Sequence, residues 1–325
     1  MRFNHAPLLL MAMFLAIAST ALASTTWYVN GLSGSDSNNC MSAQTACKTI
    51  GHAISLAAGD SMRVAAATYK ENLSIGFSLR AIGSGARTTI IDGGQTGTVF
   101  AISSSSAIVT LSNPTIRNGF VHNSGGGISN RGTLTINNST ITGNTAFGGN
   151  SLGFGGGIAN WGTITVNNST FTGNAVGGVF GAGIGGGIAN AGTATVNNST
   201  FSANSASGDG GGIVNEGNLR INNSTISGNK AGLHGGGIFN YSGFTATLQN
   251  SIVANSSSGG NCSGTMTSKG YNLSSDNTCN FDGSGDMNNT DPRLGALENN
   301  GGPTQTNFRP RHVHDFSSQC SRTRG

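Results

Sequence analysis

The sequence GGGISNRGTLTINNSTITGN occupies residues 125–144, and closely similar stretches begin at Gly155, Gly185, Gly210 and Gly235. The isoleucine that closes each glycine triplet recurs at steps of 30, 30, 25 and 25 residues. A fixed period of this kind is typical of solenoids, in which each repeat is one unit that stacks on the next. The base unit is therefore about 25 residues, and the longer steps contain insertions in residues 145–154 and 175–184.

Each repeat contains a short run in which threonines alternate with apolar residues, such as TLTI at residues 133–136. A period of two indicates a strand with one buried face. The triplet isoleucine and the apolar residue of the later xTGN element, for example Ile141, provide two further inward positions. We therefore predict coils of three short strands and three corners, stacked so that like residues lie about 4.8 Å apart.

Asparagines recur at the predicted corners, where a left-handed backbone is tolerated and a side-chain amide can bond the next coil. Two rows are predicted to form structural ladders: Asn130, Asn160, Asn190, Asn215 and Asn240, and then Asn138, Asn168, Asn198, Asn223 and Asn250. A third row comprises Asn144, Asn174, Asn204, Asn229 and Asn255. The apolar residues expected in the last inward row are Ile141, Phe171, Phe201, Ile226 and Ile252.

These motifs carry a resemblance to known proteins. The GGGI, FTGN and ITGN stretches resemble the GGxI and FxxN repeats of polymorphic outer membrane proteins, and residues 90–260 resemble bacterial proteins of pectin-lyase-like fold. The resemblance implies an all-β, right-handed parallel β-helix, but proteins of this fold have unrelated functions. Residues 27–54 resemble the N-terminal cap of such proteins, with a short amphipathic helix over residues 48–58 and Thr45 as its cap.

The chain ends are expected to differ from the array. Residues 1–23 have the features of a signal peptide cleaved after Ala23, which predicts a secreted or cell-surface protein with no transmembrane segment in the mature chain. Residues 24–60 would form the cap, residues 61–260 the β-helix with regular repeats at 125–255, and residues 261–306 a cross-linked loop and a motif that resembles choice-of-anchor Q proteins. Residues 307–325 depart from that motif and suggest a frameshift or truncated gene with a disordered tail.

Five cysteines fit an oxidising compartment. Two local bridges, Cys40–Cys47 and Cys262–Cys279, are the economical pairing, which leaves Cys320. A metal site is the rival interpretation, but the sequence contains no C-x-x-C and no paired histidines, so bridges are favoured and neither metal nor cofactor is predicted.

Charge restricts the possible partners. The formal charge is +4, but the last 17 residues contain four arginines and one aspartate, so the rest carries +1. No basic stripe remains for nucleic acid. Asp209 and Glu216 are the only acids between residues 93 and 275, which argues against an enzyme that needs several carboxylates.

Asp209 and His234 both precede a glycine triplet and are 25 residues apart, so they are expected to stack on adjacent coils. Such a carboxylate could orient the imidazole for acid–base catalysis, although an exposed corner accepts any polar residue. Glu216 is expected on a different face from this pair, as solvated surface charge.

Two surfaces are candidate binding sites. The inserted loops carry Phe147, Phe154, Val179 and Phe180, which could form an apolar ridge for a partner or a sugar, or fold back on the coil. The outward threonines of three strands form a T-x-T array that resembles β-helical ice-binding proteins, although threonine is also an ordinary strand residue. These are Thr133, Thr135, Thr163, Thr165, Thr193 and Thr195.

The sequence therefore predicts a non-catalytic β-helix for adhesion or scaffolding, with a polysaccharide or a cell-surface ligand as its partner. A polysaccharide lyase or glycoside hydrolase is the main alternative, and an ice-binding protein is a second. Oligomeric state cannot be inferred from these patterns.

Overall fold

The computed structural model describes residues 25–57, 61–179 and 183–308. The predicted signal peptide and Cys320 lie outside these residues. Among the residues described, no helix has the length and hydrophobicity needed to cross a membrane.

The chain is an all-β, right-handed parallel β-helix with three main sheets. The first sheet contains Thr26–Val29, Ser61–Val64, Leu79–Gly83, Ile108–Ser112, Thr133–Asn137, Thr163–Asn167, Thr193–Asn197, Asn218–Asn222, Thr245–Gln249 and Thr267–Ser268. The second contains Ala67–Lys70, Thr89–Asp92, Thr115–Arg117, Thr140–Thr142, Thr170–Thr172, Thr200–Ser202, Thr225–Ser227, Ile252–Ala254 and Leu273–Ser274. The third contains Leu73–Ile75, Phe100–Ile102, Ile128–Asn130, Ile158–Asn160, Ile188–Asn190, Ile213–Asn215, Ile238–Asn240 and Cys262–Ser263.

A fourth, five-stranded parallel sheet follows the third row of asparagines and is absent from the sequence prediction. Its strands are Phe120–His122, Thr145–Phe147, Ala175–Gly177, Ser205–Ala206 and Lys230–Ala231. Two small sheets complete the structure: Gly153–Phe154 pairs in parallel with Gly183–Ile184, and Leu297–Glu298 pairs with Thr306–Asn307 in an antiparallel hairpin.

Inward rows of like residues fill the core because the strands pair in parallel and in register. Phe171 pairs with Phe201 in the second sheet, and their rings stack in parallel with centroids 4.5 Å apart. Ile128, Ile158 and Ile188 are fully buried in the third sheet. Each coil therefore buries its apolar row against its neighbours rather than in a globular centre.

The last regular coil departs from the predicted core row. Val253, not Ile252, pairs with Ile226 and is fully buried. The corner before Thr245 is two residues longer than in the preceding coils, so the later register is displaced. Asn255 consequently occupies the position equivalent to Gly228, and both have a left-handed backbone. The Asn255 side chain is exposed and does not extend the third asparagine row.

The capping helix is shorter than predicted and spans Ile50–Leu56. Thr49, not Thr45, is its N-cap: the Thr49 hydroxyl accepts a hydrogen bond from the backbone N–H of His52 at 3.2 Å. Glu71 accepts two more, from the N–H groups of Ile50 and Gly51 at 2.8 and 2.6 Å. The helix covers the first coil with Ile50 and other buried apolar side chains, which protects the edge of the solenoid.

Both ends of the solenoid are cross-linked. Cys40 is bonded to Cys47 beside the capping helix, with Cα atoms 5.0 Å apart, and Cys262 is bonded to Cys279 at the other end, with Cα atoms 4.7 Å apart. The C-terminal hairpin folds back over the middle coils, where the hydroxyl of Thr304 donates to the carbonyl of Asn168 at 3.3 Å. Its second strand ends at Asn307, inside the segment predicted as tail.

The first asparagine row forms a continuous ladder inside the corner. Each amide donates to the side-chain oxygen of the next coil at 2.7 Å, from Asn130 through to Asn240. Asn144, Asn174, Asn204 and Asn229 form a second ladder at 2.9–3.0 Å. Because all of these side chains are buried, the ladders satisfy groups that would otherwise be costly to bury.

The predicted ladder through Asn138, Asn168, Asn198, Asn223 and Asn250 is wrong in its bonding. These residues have φ angles of 49–50° and form left-handed corners, with no amide-to-amide bond among them in the described chain. Their immediate predecessors form the ladder instead: Asn222 donates to Asn197, Asn197 to Asn167 and Asn167 to Asn137, each at 2.9 Å.

Acid is expected to destabilise the protein through carboxylates such as Asp92. Burial raises the pKa of Asp92, but hydrogen bonds from Gly94, Arg117 and Asn118 outweigh burial and lower the pKa below its ordinary value of 3.8. A carboxyl whose pKa is lower in the folded state than in the unfolded state stabilises the protein at pH values above the unfolded-state pKa. This contribution is lost as the pH falls through the folded-state pKa. Thermal unfolding between about pH 2 and pH 7 should therefore show a falling Tm below about pH 4.

Two matched variants test this. Asp92→Asn should reduce the fall of Tm at low pH, whereas Asp282→Asn, at an exposed site, should leave that fall unchanged. An identical acid limb in wild type and Asp92→Asn would contradict this assignment.

Candidate functional site

Several side chains lie on the outer face of the third sheet because the chain turns at each glycine triplet. The first glycine of each triplet has a φ angle between 62° and 74°, so the chain reverses and the preceding residue lies over the sheet. A Cβ at Gly185 would lie 2.6 Å from Cβ of Ala189, which shows how closely the backbone approaches the strand. The residues before the triplets form one column: Ser124, Phe154, Ile184, Asp209 and His234.

A second column lies beyond the strands, at the position after the laddered asparagine. It contains Arg131, Trp161, Ala191, Glu216 and Tyr241. Between the columns, Ala159, Ala189 and Val214 are fully buried in a small apolar cluster, and Phe239 and Tyr241 pack against it. This cluster is separate from the core inside the coils and gives the outer face its own rigid support.

We call the rings that line this face the aromatic strip, which comprises the exposed Trp161 and the half-buried Phe239 and Tyr241. Trp161 is 36% exposed, stacks on Phe154 with centroids 5.4 Å apart, and has the Arg131 guanidinium 5.3 Å from its ring centre. Trp161 and Tyr241 follow residues of one ladder and are three coils apart, so they are separated by about 14 Å along the axis.

Phe239 and Tyr241 form the other end of the strip. Their rings meet edge to face with centroids 4.7 Å apart, and the imidazole of His234 lies 6.2 Å from Phe239. The strip therefore has an aromatic group at each end and small buried residues between them.

Asp209 and His234 stack as predicted. One Asp209 oxygen accepts from the backbone N–H of His234 and contacts its Nδ1, both at 3.0 Å. Since a carboxylate accepts, Nδ1 carries a proton in this contact, and Nε2 is the other ring nitrogen. The imidazole is 64% exposed and the carboxyl only 14%, so the pair presents Nε2 to solvent.

Glu216 lies at the other end of the strand Ile213–Asn215 from Asp209, in the same column as Tyr241. It occupies the position equivalent to Trp161, whose ring stacks across the sheet on Phe154, and Phe154 is the equivalent of Asp209. Both acids therefore border one outer face. Burial first, and then the charges of Asp209 and Glu216, raise the pKa of Tyr241, and burial raises the pKa of Glu216.

The residues proposed for an apolar ridge have different environments. Phe154 is buried under Trp161, which agrees with the alternative that these residues fold back on the coil. Phe147 belongs to the fourth sheet and is 38% exposed, beside His122 with ring centroids 6.3 Å apart. Val179 is 37% exposed, and Phe180 lies outside the described residues.

The T-x-T threonines lie in register on the outer face of the first sheet. Thr133 pairs with Thr163 and Thr193, and Thr135, Thr165 and Thr195 form the parallel row. Arg220 pairs with both Thr195 and Thr247 and interrupts the row.

One group with metal-ligand chemistry occurs in the described chain: Cys40, Cys47 and His52, whose ligand atoms lie within 4.8 Å of one another. The two sulfurs are bonded to each other, so they are not the thiolates that zinc requires. The sequence prediction had not placed His52 beside this bridge.

Sequence reasoning missed Trp161, Phe239 and Tyr241, and it gave Glu216 no part in a site. The sequence nevertheless contained a signal for three of these residues. Trp161, Glu216 and Tyr241 occupy the same position of the repeat, where the third repeat has Ala191. Aligning the repeats and reading this variable position would have identified one column of the site.

No known protein family matches the sequence, and no curated protein is similar to it. Among solved structures, a pectin methylesterase from Erwinia chrysanthemi is similar, with 16% identity, a TM-score of 0.41, and coverage of 89% of this chain and 86% of that chain. A pectin methylesterase mutant in complex with a hexasaccharide has 15% identity, a TM-score of 0.42 and the same coverage. Neither similarity assigns a substrate or an activity to this chain.

Proposed function

We propose that this protein is a secreted or cell-surface glycan-binding β-helix that holds a polysaccharide along the aromatic strip without cleaving it. The observation that supports this most is the alignment of Trp161 and Tyr241 in one column, about 14 Å apart along the solenoid axis. Two disulfides fit an oxidising compartment.

The support beneath the rings favours binding. Exposed aromatic side chains provide large contact area with few rotatable bonds, and a ligand that meets a pre-ordered surface loses less affinity to ordering. Trp161 is fixed by Phe154, and Tyr241 by Phe239 and the apolar cluster. Asp209, Glu216 and His234 border the same face and could bond sugar hydroxyls.

A glycoside hydrolase or polysaccharide lyase is the second candidate, and Asp209 and Glu216 favour it. Glycosidases use two carboxyl groups in different protonation states. Burial raises the pKa of Glu216, while Asp209 is hydrogen-bonded to His234. The exposed Nε2 of His234 could also act as a base.

Replacement of Trp161 by alanine tests the binding proposal. Screening a glycan array with the protein from Ser24 onward would select the ligand, and titration calorimetry would then compare variants. Trp161→Ala should weaken binding by about 10-fold to 100-fold, since a buried aromatic contact contributes about 1–3 kcal/mol. Phe147→Ala is the matched control, because Phe147 is similarly exposed, at 38%, on a different sheet.

Equal affinities of wild type and Trp161→Ala would refute the strip as the binding surface. Catalysis is scored separately, as release of reducing or unsaturated ends from the selected glycan. Release that is abolished by His234→Ala or Asp209→Asn would replace binding by catalysis as the function of this site.

A further inference from the structure

The charge of the aromatic strip is unevenly distributed. Asp209 and Glu216 are the only carboxylates in residues 93–275. Glu216 lies one coil before Tyr241 in the same column. Asp209 contacts His234 at 3.0 Å, and the His234 ring lies 6.2 Å from that of Phe239. The Tyr241 end of the strip is therefore acidic, in a protein whose formal charge is +4.

The cations of the two columns do not neutralise this end. Arg131 lies over Trp161, three coils from Glu216, which is about 14 Å along the axis and beyond the screening length of about 8 Å at physiological salt. His234 is the only other titratable cation of the two columns, and it is paired with Asp209.

Carboxylates next to aromatic faces are the chemistry that binds ammonium groups. An ammonium gains an ion pair with a carboxylate and a cation–π contact with Tyr, Trp or Phe. The edge-to-face pair of Phe239 and Tyr241 provides the rings at the acidic end. A uronate, in contrast, would bring a third negative charge to Asp209 and Glu216.

We propose that the ligand of the strip is an amino-sugar polymer with free ammonium groups, which lie at the Tyr241 end beside Asp209 and Glu216. This inference rests on the proposed glycan-binding function and specifies its substrate class. Sugar rings without charge would lie toward Trp161, where the acidic residues are absent from both columns.

The test compares three hexasaccharides of matched length: glucosamine, N-acetylglucosamine and galacturonate hexamers, titrated into the folded protein at neutral pH. We expect the glucosamine hexamer to bind about 10-fold more tightly than its acetylated form, and the galacturonate hexamer to bind most weakly. Adding salt should reduce the preference for glucosamine.

Glu216→Gln should lower the affinity for the glucosamine hexamer about 5-fold to 10-fold and leave the acetylated hexamer unchanged. Asp209→Asn is a second variant with the same expected direction, and Glu298→Gln, at an exposed acid of the C-terminal hairpin, is the matched control. Unfolding curves of each variant verify that the fold is retained.

The outcomes separate the two proposals. If no hexamer binds while the array selects another glycan, the amino-sugar inference is overturned and glycan binding stands; if nothing on the array binds either, both proposals fail. If the acetylated or the galacturonate hexamer binds at least as tightly as glucosamine, with Trp161→Ala still impaired, glycan binding stands and the amino-sugar inference is overturned. A glucosamine preference that survives Glu216→Gln and Asp209→Asn also overturns it.

Discussion

Replacing Gly186 by alanine is expected to lower the free energy of unfolding by more than about 4 kcal/mol or to prevent folding. A Cβ at this position would lie 2.4 Å from the carbonyl oxygen of Gly211 and 2.5 Å from that of Ser205. Both are backbone atoms held in the stacked coils, so no side chain can move aside. Relief of the clash would require separating adjacent coils, which breaks the parallel register above and below.

Gly173→Ala is the control for this variant. Gly173 has a φ angle of +62°, but no heavy atom lies within 4 Å of the position that the alanine methyl group would take, so alanine there should cost only about 1–2 kcal/mol of backbone strain. Denaturant unfolding followed by circular dichroism measures both. Similar losses in the two variants would show that the coils accommodate a methyl group at Gly186 at little cost, so that close packing does not set the need for glycine at this position.

The repeat made the fold predictable because each coil has the same neighbours as the next. An inward isoleucine at residue 128 implies the same environment at residues 158 and 188, so one correct interpretation of a strand applies to the whole array. The prediction failed where this equivalence ends. Two additional residues before Thr245 shift the later positions, so that Val253 and not Ile252 takes the place of Ile226; counting from Asn250 rather than from the mean period gives this residue.

The candidate site was less predictable because it depends on contacts between columns. Stacking of Asp209 and His234 follows from their equal positions in the repeat, and the structure brings them together. Whether Glu216 borders the same face as that pair depends on how far the glycine turn carries residue 209 across the sheet, and the Phe154–Trp161 stack shows that side chains at the equivalent positions meet. Sequence spacing contains no measure of that distance, so the sequence did not connect Glu216 with the pair.

The same limit applies to the asparagines. Asn137 and Asn138 are adjacent, and both recur in the first four repeats, so those repeats cannot show which one turns the corner and which one bonds the next coil. The structure assigns the left-handed corner to Asn138 and the amide ladder to Asn137. Only the direction of each side chain relative to the coil axis separates the two roles.

Converting Asn190 to aspartate is expected to cost about 3–5 kcal/mol at neutral pH, although the side chain keeps its shape. The amide nitrogen of Asn190 donates to the carbonyls of Gly192 and Asn218 at 3.2 and 3.1 Å and to the side chain of Asn215 at 2.7 Å. A carboxylate oxygen in its place would face three acceptors and donate to none. Its charge would also be fully buried, without a cation to pair with it.

Acid distinguishes this effect from a simple loss of packing. Burial and the surrounding acceptors should raise the folded-state pKa of the new carboxyl above its ordinary value of about 3.9. The variant should therefore lose stability as pH rises above that value. It should regain stability in acid, because the protonated carboxyl can donate one hydrogen bond. This dependence is opposite in sign to that of Asp92, so the Tm difference between wild type and Asn190→Asp should narrow below about pH 4.

Asn198→Gly is the matched control, because a left-handed corner without an amide ladder accepts glycine with little loss at any pH. A Tm difference for Asn190→Asp that does not change with pH would show that the ladder does not depend on the amide donors.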